Sequence, residues 1–420
     1  MHGTVLERKA ATAGPVPVPR ASPLLSALFL AVAMLVVLRV SLNAILLDLA
    51  INYSTDSGSI VEKLHPTLYG FVLAGLIAVL SFRIVLSAWE VRVVRWMLAF
   101  NAGIVAILAM TALSGRGGST GFLIDTYSGA CLSMLLFLFP KPWRQAIAQL
   151  LLAFMTLSAC VAIVEFVLKV RLQPFTETEA AFRPIGLSGH PLELGLWMAM
   201  GPSFVAATAW PRRVKLSAIV ILLAGLGVSG ARTALITGSV GAFVLALGAV
   251  GRERSPRRRL ELRIVVVCAA LALIPAAIGL IAAAGGLDRF GNGLVDSNAR
   301  ARIDIYAIFG YMTWNEILFG MDPALLKSIM KTYLNLEYVE SSVVIFVTLF
   351  GVTGTLLFGT LFLGLVRVLL DRARACVLLG TLVFFIVALS SNGLSSKGAN
   401  PFLLFALIIG LRPAPAARTP

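Results

Sequence analysis

The chain has 420 residues, of which 59% are hydrophobic and only 13% charged, and its mean hydropathy of +0.92 excludes an ordinary soluble domain. Its apolar runs are continuous rather than alternating, which excludes a β-barrel. A net charge of +15 would suit nucleic acid, but the basic run Arg252–Arg263 lacks interleaved aromatics and reads instead as a membrane anchor.

Residues 1–22 read as a disordered cytoplasmic tail rich in Pro and Ala, with Arg8, Lys9 and Arg20. No small-x-small cleavage site follows the next apolar run, so that run is kept as a first span and not as a signal peptide. A hydrocarbon core of about 30 Å needs about twenty helical residues, and runs near that length recur along the chain. They cover 24–46, 67–88, 96–114, 121–139, 146–168, 191–209, 216–229, 233–250, 264–285, 341–366, 375–391 and 400–412. Those at 216–229 and 400–412 are short enough to be tilted or partly re-entrant. The expected fold class is an all-α polytopic integral membrane protein of about 12 transmembrane helices. Residues 23–412 form a single transmembrane domain that includes a large periplasmic loop, 286–340, between helices 9 and 10. Residues 413–420 form a second cytoplasmic tail.

Charge sets the orientation. With both termini cytoplasmic, the cytoplasmic segments hold 21 of the 35 Lys and Arg but 5 of the 20 Asp and Glu. The four cysteines fall inside spans, and His2, His65 and His190 are scattered, so neither a disulfide framework nor a metal site is expected.

Ionisable groups inside spans are costly and mark functional sites. Arg39, Asp125, Glu165 and Glu193 all sit toward the outer ends of their spans, while Arg83 can snorkel to the cytoplasm. Charges near helix ends can simply reach water. The sharper reading is a polar, outward-open cavity at the level of the outer leaflet, with few charges at mid-depth to carry a proton or ion relay.

Residues 182–191, Phe-Arg-Pro-Ile-Gly-Leu-Ser-Gly-His-Pro, form a shaped loop entering the sixth span. Arg183 is its one charge. His190 is a candidate base, although an N-terminal cap before Pro191 is the simpler role. Spans seven and eight make a tight hairpin whose tip, Gly227-Val-Ser-Gly-Ala-Arg232, puts a guanidinium at a helix N-terminus that already favours anions. It can grip phosphate there in a bidentate way, or merely snorkel. In the external loop, 298–314 and 323–336 have helical periodicity, with Ile303, Ile305, Tyr306, Phe309 and Met312 on an apolar side, as in a lid lying on the membrane surface. Arg289, Arg300 and Arg302 lie near its start, and Glu340 opens the tenth span as either a proton acceptor or a helix N-terminal charge.

Together these pieces resemble the superfamily of bacterial O-antigen ligases and O-antigen polymerases. The matching residues are Arg183-Pro-Ile-Gly-Leu-Ser-Gly-His-Pro, Ser229-Gly-Ala-Arg232-Thr-Ala, Arg302-Ile-Asp-Ile-Tyr306 with Leu318-Phe-Gly320, and Glu340-Ser-Ser-Val through Gly351-Val-Thr-Gly354. The resemblance covers about residues 180–360. It implies a metal-independent, cofactor-free glycosyltransferase of the inner membrane whose donor is a polyprenyl-diphosphate-linked glycan. Arg183, Arg232 and Arg302 would bind the diphosphate, with His190, Arg289, Arg300 and Glu193 as further candidates. Ligases of this superfamily carry a His-Asn pair where this chain has Glu340-Ser341. The departure favours polymerisation of O-antigen, capsule or exopolysaccharide repeat units over lipid A ligation, with Glu340 as base. Membrane lipid and a chain-length regulator are the implied partners, and nucleic acid is not. Twelve helices with both termini inside is also a layout of transporters and flippases. Those usually show two related halves, and none is evident here. A non-catalytic scaffold of an envelope assembly complex is the third reading.

Overall fold

The structure is a computed structural model that describes residues 22–54, 59, 61–116, 121–175, 182–251, 255–264, 267–268, 303–336, 339 and 341–413. The described elements are helices, with no strands among them. Five are long and apolar enough to cross a membrane: Pro23–Ser41 (α1), Ala88–Leu113 (α4), Lys141–Leu168 (α6), Arg232–Val250 (α9) and Ser342–Leu369 (α12). Around them lie the shorter helices Ala44–Asp48 (α2), Pro66–Ser81 (α3), the irregular Leu123–Leu138 (α5), Pro191–Ala207 (α7) and Arg212–Val228 (α8). The C-terminal part adds Trp314–Phe319 (α10), Pro323–Ile329 (α11), Ala375–Leu389 (α13) and Asn400–Gly410 (α14). Every apolar run except 264–285 therefore coincides with helix. That run, both tails and the first part of the loop lie wholly or mostly outside the described residues.

Local sequence explains the helix starts. Pro23, Pro66 and Pro191 take first-turn positions, where their missing N–H costs nothing. Ser87 and Glu90 form a reciprocal capping box at α4.

The two most buried helices are short. In α7 every residue from Leu194 to Val205 is buried, and in α14 every residue is. The long helices surround them and leave apolar side chains such as Leu30, Leu98, Val164 and Leu363 exposed, as lipid-facing helices do. Apolar burial gives little drive between helices in lipid, so close packing and hydrogen bonds must hold the bundle. One example is the aromatic column of Phe100, Tyr127, Phe358 and Phe362, whose neighbouring ring centroids lie 4.7–6.1 Å apart.

Helix α12 runs antiparallel to α4. Trp89 Nε1 donates to Val368 O at 2.9 Å, and Gly354 lies against Met110 and Ile107. Trp89, Val368 and Arg412 thus share one end of the bundle, here called the lower end, with the Arg412 guanidinium 3.6 Å above the Trp89 ring. The upper part of α12 is broken at Gly351, which has φ +68°. A Cβ there would sit 2.3 Å from Leu318 O, so only glycine permits this backbone-to-backbone crossing. Met321 N donates to Thr348 O at 2.7 Å beside it. The described part of the expected external loop therefore does not stand apart. It packs along the upper end of α12 and has its own core of Ile305, Ile308, Met312, Leu326, Ile329 and Val344. That corrects the expected apolar side: Ile303 and Tyr306 are exposed, and Ile308 replaces them inside.

Candidate functional site

Helix α14 ends at the lower end of the bundle, yet it has only 11 residues, about 16 Å of rise. Its first residue, Asn400, therefore lies about 16 Å up, near mid-depth. Helix α7 gives the same level independently: Asn400 Oδ1 accepts from Trp197 Nε1 at 2.8 Å, and Trp197 is ten residues above Ala207, about 15 Å. The non-helical segment 390–399 consequently lies deep in the bundle. Irregular backbone at that depth is tolerated where it is buried in protein or lines a water-filled cavity, and this segment is buried among the helices beside a cavity.

Its backbone groups are paired across several elements. Thr126 Oγ1 donates to Ser396 O at 3.2 Å, Tyr127 Oη to Leu394 O at 2.5 Å, and Ser342 Oγ to Ser391 O at 2.7 Å. Lys397 Nζ donates to Tyr53 O at 2.6 Å and to Lys63 O at 3.0 Å, tying the segment to the connection between α2 and α3. The remaining face lines a cavity of about 300 Å³, lined on its other sides by α1, α2, residues 188–190 and the first turns of α7.

Arg39 lies in the cavity wall and is 2% exposed. Its Nη2 donates to Asp125 Oδ2 and to Asp125 O, both at 2.9 Å, and lies 3.2 Å from Gly398 O. Asp125 sits in a π-helical turn, Leu123–Ser128, a distortion frequent at functional sites. Its carboxylate also accepts from Tyr53 Oη and from His65 N, each at 2.7 Å. The His65 ring is held as well: Nε2 donates to Leu42 O at 2.9 Å, and Nδ1 accepts from Thr67 N at 3.2 Å. Burial, with the Arg39 charge adding to it, pushes His65 down to about 4, so the ring is neutral at neutral pH. Glu193 reaches the same cavity from α7, facing the Asn400 amide and within electrostatic reach of Arg39.

The four charges expected near the outer level thus separate. Arg39, Asp125 and Glu193 converge on this centre. Glu165 does not. Its carboxylate accepts from Leu172 N at 2.8 Å, Ile185 N at 2.9 Å and Gly186 N at 2.8 Å, so it holds the 182–190 segment in place. Gly186 fits this fold because its φ is +55° and a Cβ would meet Ser158 O at 2.6 Å.

The segment 182–190 has two polar sides. Ser188, Gly189 and His190 line the cavity. His190 is the N-cap of α7, its Nδ1 accepting from Leu192 N at 3.1 Å, as Pro191 implied. At the other end of the segment, buried Arg183 extends to the α8–α9 hairpin and donates from Nε to Ser229 O at 3.3 Å. Arg232 is the first residue of α9 at that same tip. Arg171 donates from Nε to Arg183 O at 3.0 Å and lies 4.4 Å over the Phe175 ring, adding a further cation to this region. The fold therefore gathers Arg183 and Arg232 at one hairpin, and Leu318-Phe-Gly320 against Gly351. Glu340, Arg302, Arg300 and Arg289 lie outside the described residues.

Asn43, Lys397 and Asn400 have no place in the sequence reading. The signal for them was the shortness of 400–412, a run too brief to start at the surface. Among the described residues no group of three His, Cys, Asp or Glu side chains could hold a metal ion. No family model matches the chain, and no curated protein matches it.

Proposed function

We propose that the chain is a polytopic glycosyltransferase of the bacterial inner membrane that polymerises polyprenyl-diphosphate-linked oligosaccharide units. In this reading it crosses the membrane about twelve times with both termini cytoplasmic, and the lower end is the cytoplasmic one. The observation that carries the reading is the two-sided segment 182–190. It offers Arg183 to the hairpin tip bearing Arg232, and Ser188 to His190 to a polar cavity. A cationic hairpin tip and a separate polar cavity share one short stretch of backbone, the arrangement a transferase needs for a diphosphate leaving group beside an acceptor.

In the step, an acceptor hydroxyl oxygen forms a bond to the donor's anomeric carbon while the bond from that carbon to the diphosphate breaks. The diphosphate leaves with the electron pair, its charge met by Arg183 and Arg232 and by Arg302 of the loop. Fixed guanidinium groups at a helix N-terminus stabilise such charge without reorganisation. The hydroxyl proton passes to Glu340. The Glu340-Ser341 pair supports chain extension rather than transfer to lipid A, with a chain-length regulator as the implied partner.

The test is a gel of lipid-linked glycan after the purified, reconstituted protein is mixed with a polyprenyl-diphosphate repeat unit. A ladder without added nucleotide sugar is expected, and Arg232→Ala and Glu340→Gln should each abolish it while membrane insertion is kept. Normal activity in both variants would sink the site assignment. The second reading, a transporter or flippase for a glycan precursor, draws on the buried Arg39–Asp125 network near mid-depth. It would be preferred if the repeat unit stays unlengthened but crosses proteoliposomes.

A further inference from the structure

The lower end of the bundle gathers more positive charge than its carboxylates can pair. Arg92 Nη2 meets Asp371 Oδ2 at 2.7 Å, and Arg412 Nη1 donates to the Asp371 main-chain oxygen at 2.5 Å. Arg412 also lies within electrostatic reach of both Arg92 and Arg372. Arg372 is exposed, is held at φ +57°, and makes none of the ion pairs formed among the described residues. The other carboxylate nearby is taken: Glu90 pairs with Arg144 at 2.5 Å and accepts from Ser87 N at 2.7 Å. Three guanidinium groups, those of Arg92, Arg372 and Arg412, therefore share the single carboxylate of Asp371. Like charges gathered in this way raise the local potential and draw a counter-anion, and the guanidinium fork matches phosphate oxygens in pairs. The Arg412 fork is held in place, its carbon 3.6 Å above the Trp89 ring, whose own Nε1 is fixed on Val368 O.

What carries the phosphate is decided by the surroundings. Arg95 and Arg367 are exposed about one turn further into the bilayer than Arg92 and Asp371, on the same two helices. Leu98 and Leu363 follow them, also exposed, about 10 Å further in than the cluster. Ile84 and Val85, in the non-helical stretch before α4, add exposed apolar side chains beside it. A soluble phosphate or an acidic peptide leaves these apolar surfaces uncovered. A phospholipid covers them with its acyl chains while its phosphate meets the arginines, and basic pockets between helix ends are where anionic headgroups bind. We propose that the lower end of α4 and α12 is a binding site for one anionic phospholipid, its phosphate held by Arg92, Arg372 and Arg412 and its chains laid along Leu98 and Leu363. The site takes no part in the transferase reading and stands whether or not that reading holds.

The experiment is native mass spectrometry of the full chain in detergent, titrated with phosphatidylglycerol or with phosphatidylethanolamine of the same acyl chains. Each arginine near an anionic headgroup is worth about fivefold in affinity, so the first phosphatidylglycerol should bind at least about tenfold more tightly than the first phosphatidylethanolamine. Arg372→Asn removes one exposed charge and suits the positive φ, so the fold is kept. It should weaken phosphatidylglycerol about fivefold and leave phosphatidylethanolamine unchanged. Arg212→Gln, the same loss of charge at the start of α8 at this end of the bundle, should change neither. Equal binding of the two lipids, unchanged selectivity in Arg372→Asn, or an equal loss in Arg212→Gln would each overturn the proposal. So would release of phosphatidylglycerol by prior incubation with millimolar inorganic phosphate, which would mark a site for soluble anions instead.

Discussion

Two ion pairs of the same chemistry sit in opposite surroundings. Arg39–Asp125 closes at 2.9 Å with side chains 1% and 0% exposed, while Arg92–Asp371 closes at 2.7 Å with side chains 58% and 34% exposed. The shorter contact is the weaker one. At the lower end, water solvates both partners whether or not they meet, so the pair contributes about 0–1 kcal/mol. In the bundle interior neither charge has water to return to, and each depends on the other. Distance says little about such a bond; what replaces the lost water says most. Around Asp125 the replacement is complete, whereas around Arg39 it is not, and that asymmetry marks the cavity.

The largest expected effect comes from removing one side of the buried pair. Asp125→Ala leaves a guanidinium in the interior without a counter-charge, which costs about 3–5 kcal/mol. Detergent-extracted protein should then lose most of its monodisperse fraction on size-exclusion chromatography. If Asp125→Ala stays as well behaved as the unaltered chain, the pair is not buried as described. Replacing both partners by apolar residues, Arg39→Met with Asp125→Leu, should restore only part of the stability, because it removes both desolvation penalties but leaves Tyr53 Oη and His65 N without their acceptor.

This centre was partly legible in the sequence. A charge within an apolar run is too costly to be incidental, so Arg39, Asp125 and Glu193 stood out as residues. Their partners did not. Tyr53, His65 and Lys397 belong to connections whose paths depend on how the helices pack, and no local spacing records that. Glu165 looked like the other three because a carboxylate held by three backbone N–H groups has no side-chain signature in sequence. His190 was read as a cap because Pro191 fixes the helix start by local chemistry alone. The depth of the centre was hidden for a different reason. Hydropathy counts apolar residues and does not distinguish a long helix from α14, whose 11 residues begin inside the bundle.

Next in size is the backbone crossing at the upper end. Gly351→Ala forces a side chain into a positive-φ position and against Leu318 O, so the segment 314–321 must separate from α12. A loss of about 1–3 kcal/mol is expected from the strained conformation, before any clash. Thermal unfolding in detergent should show it, while Gly359→Ala, in open space on the same helix, should leave the midpoint unchanged.

Acid gives a smaller and more selective probe of the buried centre. His65 is held near 4 in the folded protein, below the unfolded value of about 6.5, so between these pH values the unfolded chain binds a proton that the folded one refuses. Stability contributed by neutral His65 is present above about pH 6.5 and is lost as pH falls toward 4. His65→Gln, which cannot titrate, should flatten that part of the profile of melting temperature against pH. An identical slope in both proteins would place the acid sensitivity elsewhere.

The smallest effect is expected where the comparison began, at the exposed pair. Arg92→Ala removes a partner that water replaces, and Asp371 keeps its solvation. Its main-chain carbonyl still accepts from Arg412 Nη1 at 2.5 Å, so the lower end stays joined without Arg92. The melting temperature should therefore move by no more than about 1 kcal/mol allows, and raising the salt concentration should shrink even that difference. A loss as large as that of Asp125→Ala would mean that headgroups or neighbouring helices shield this pair from water. The contrast between the two pairs would then be one of position only.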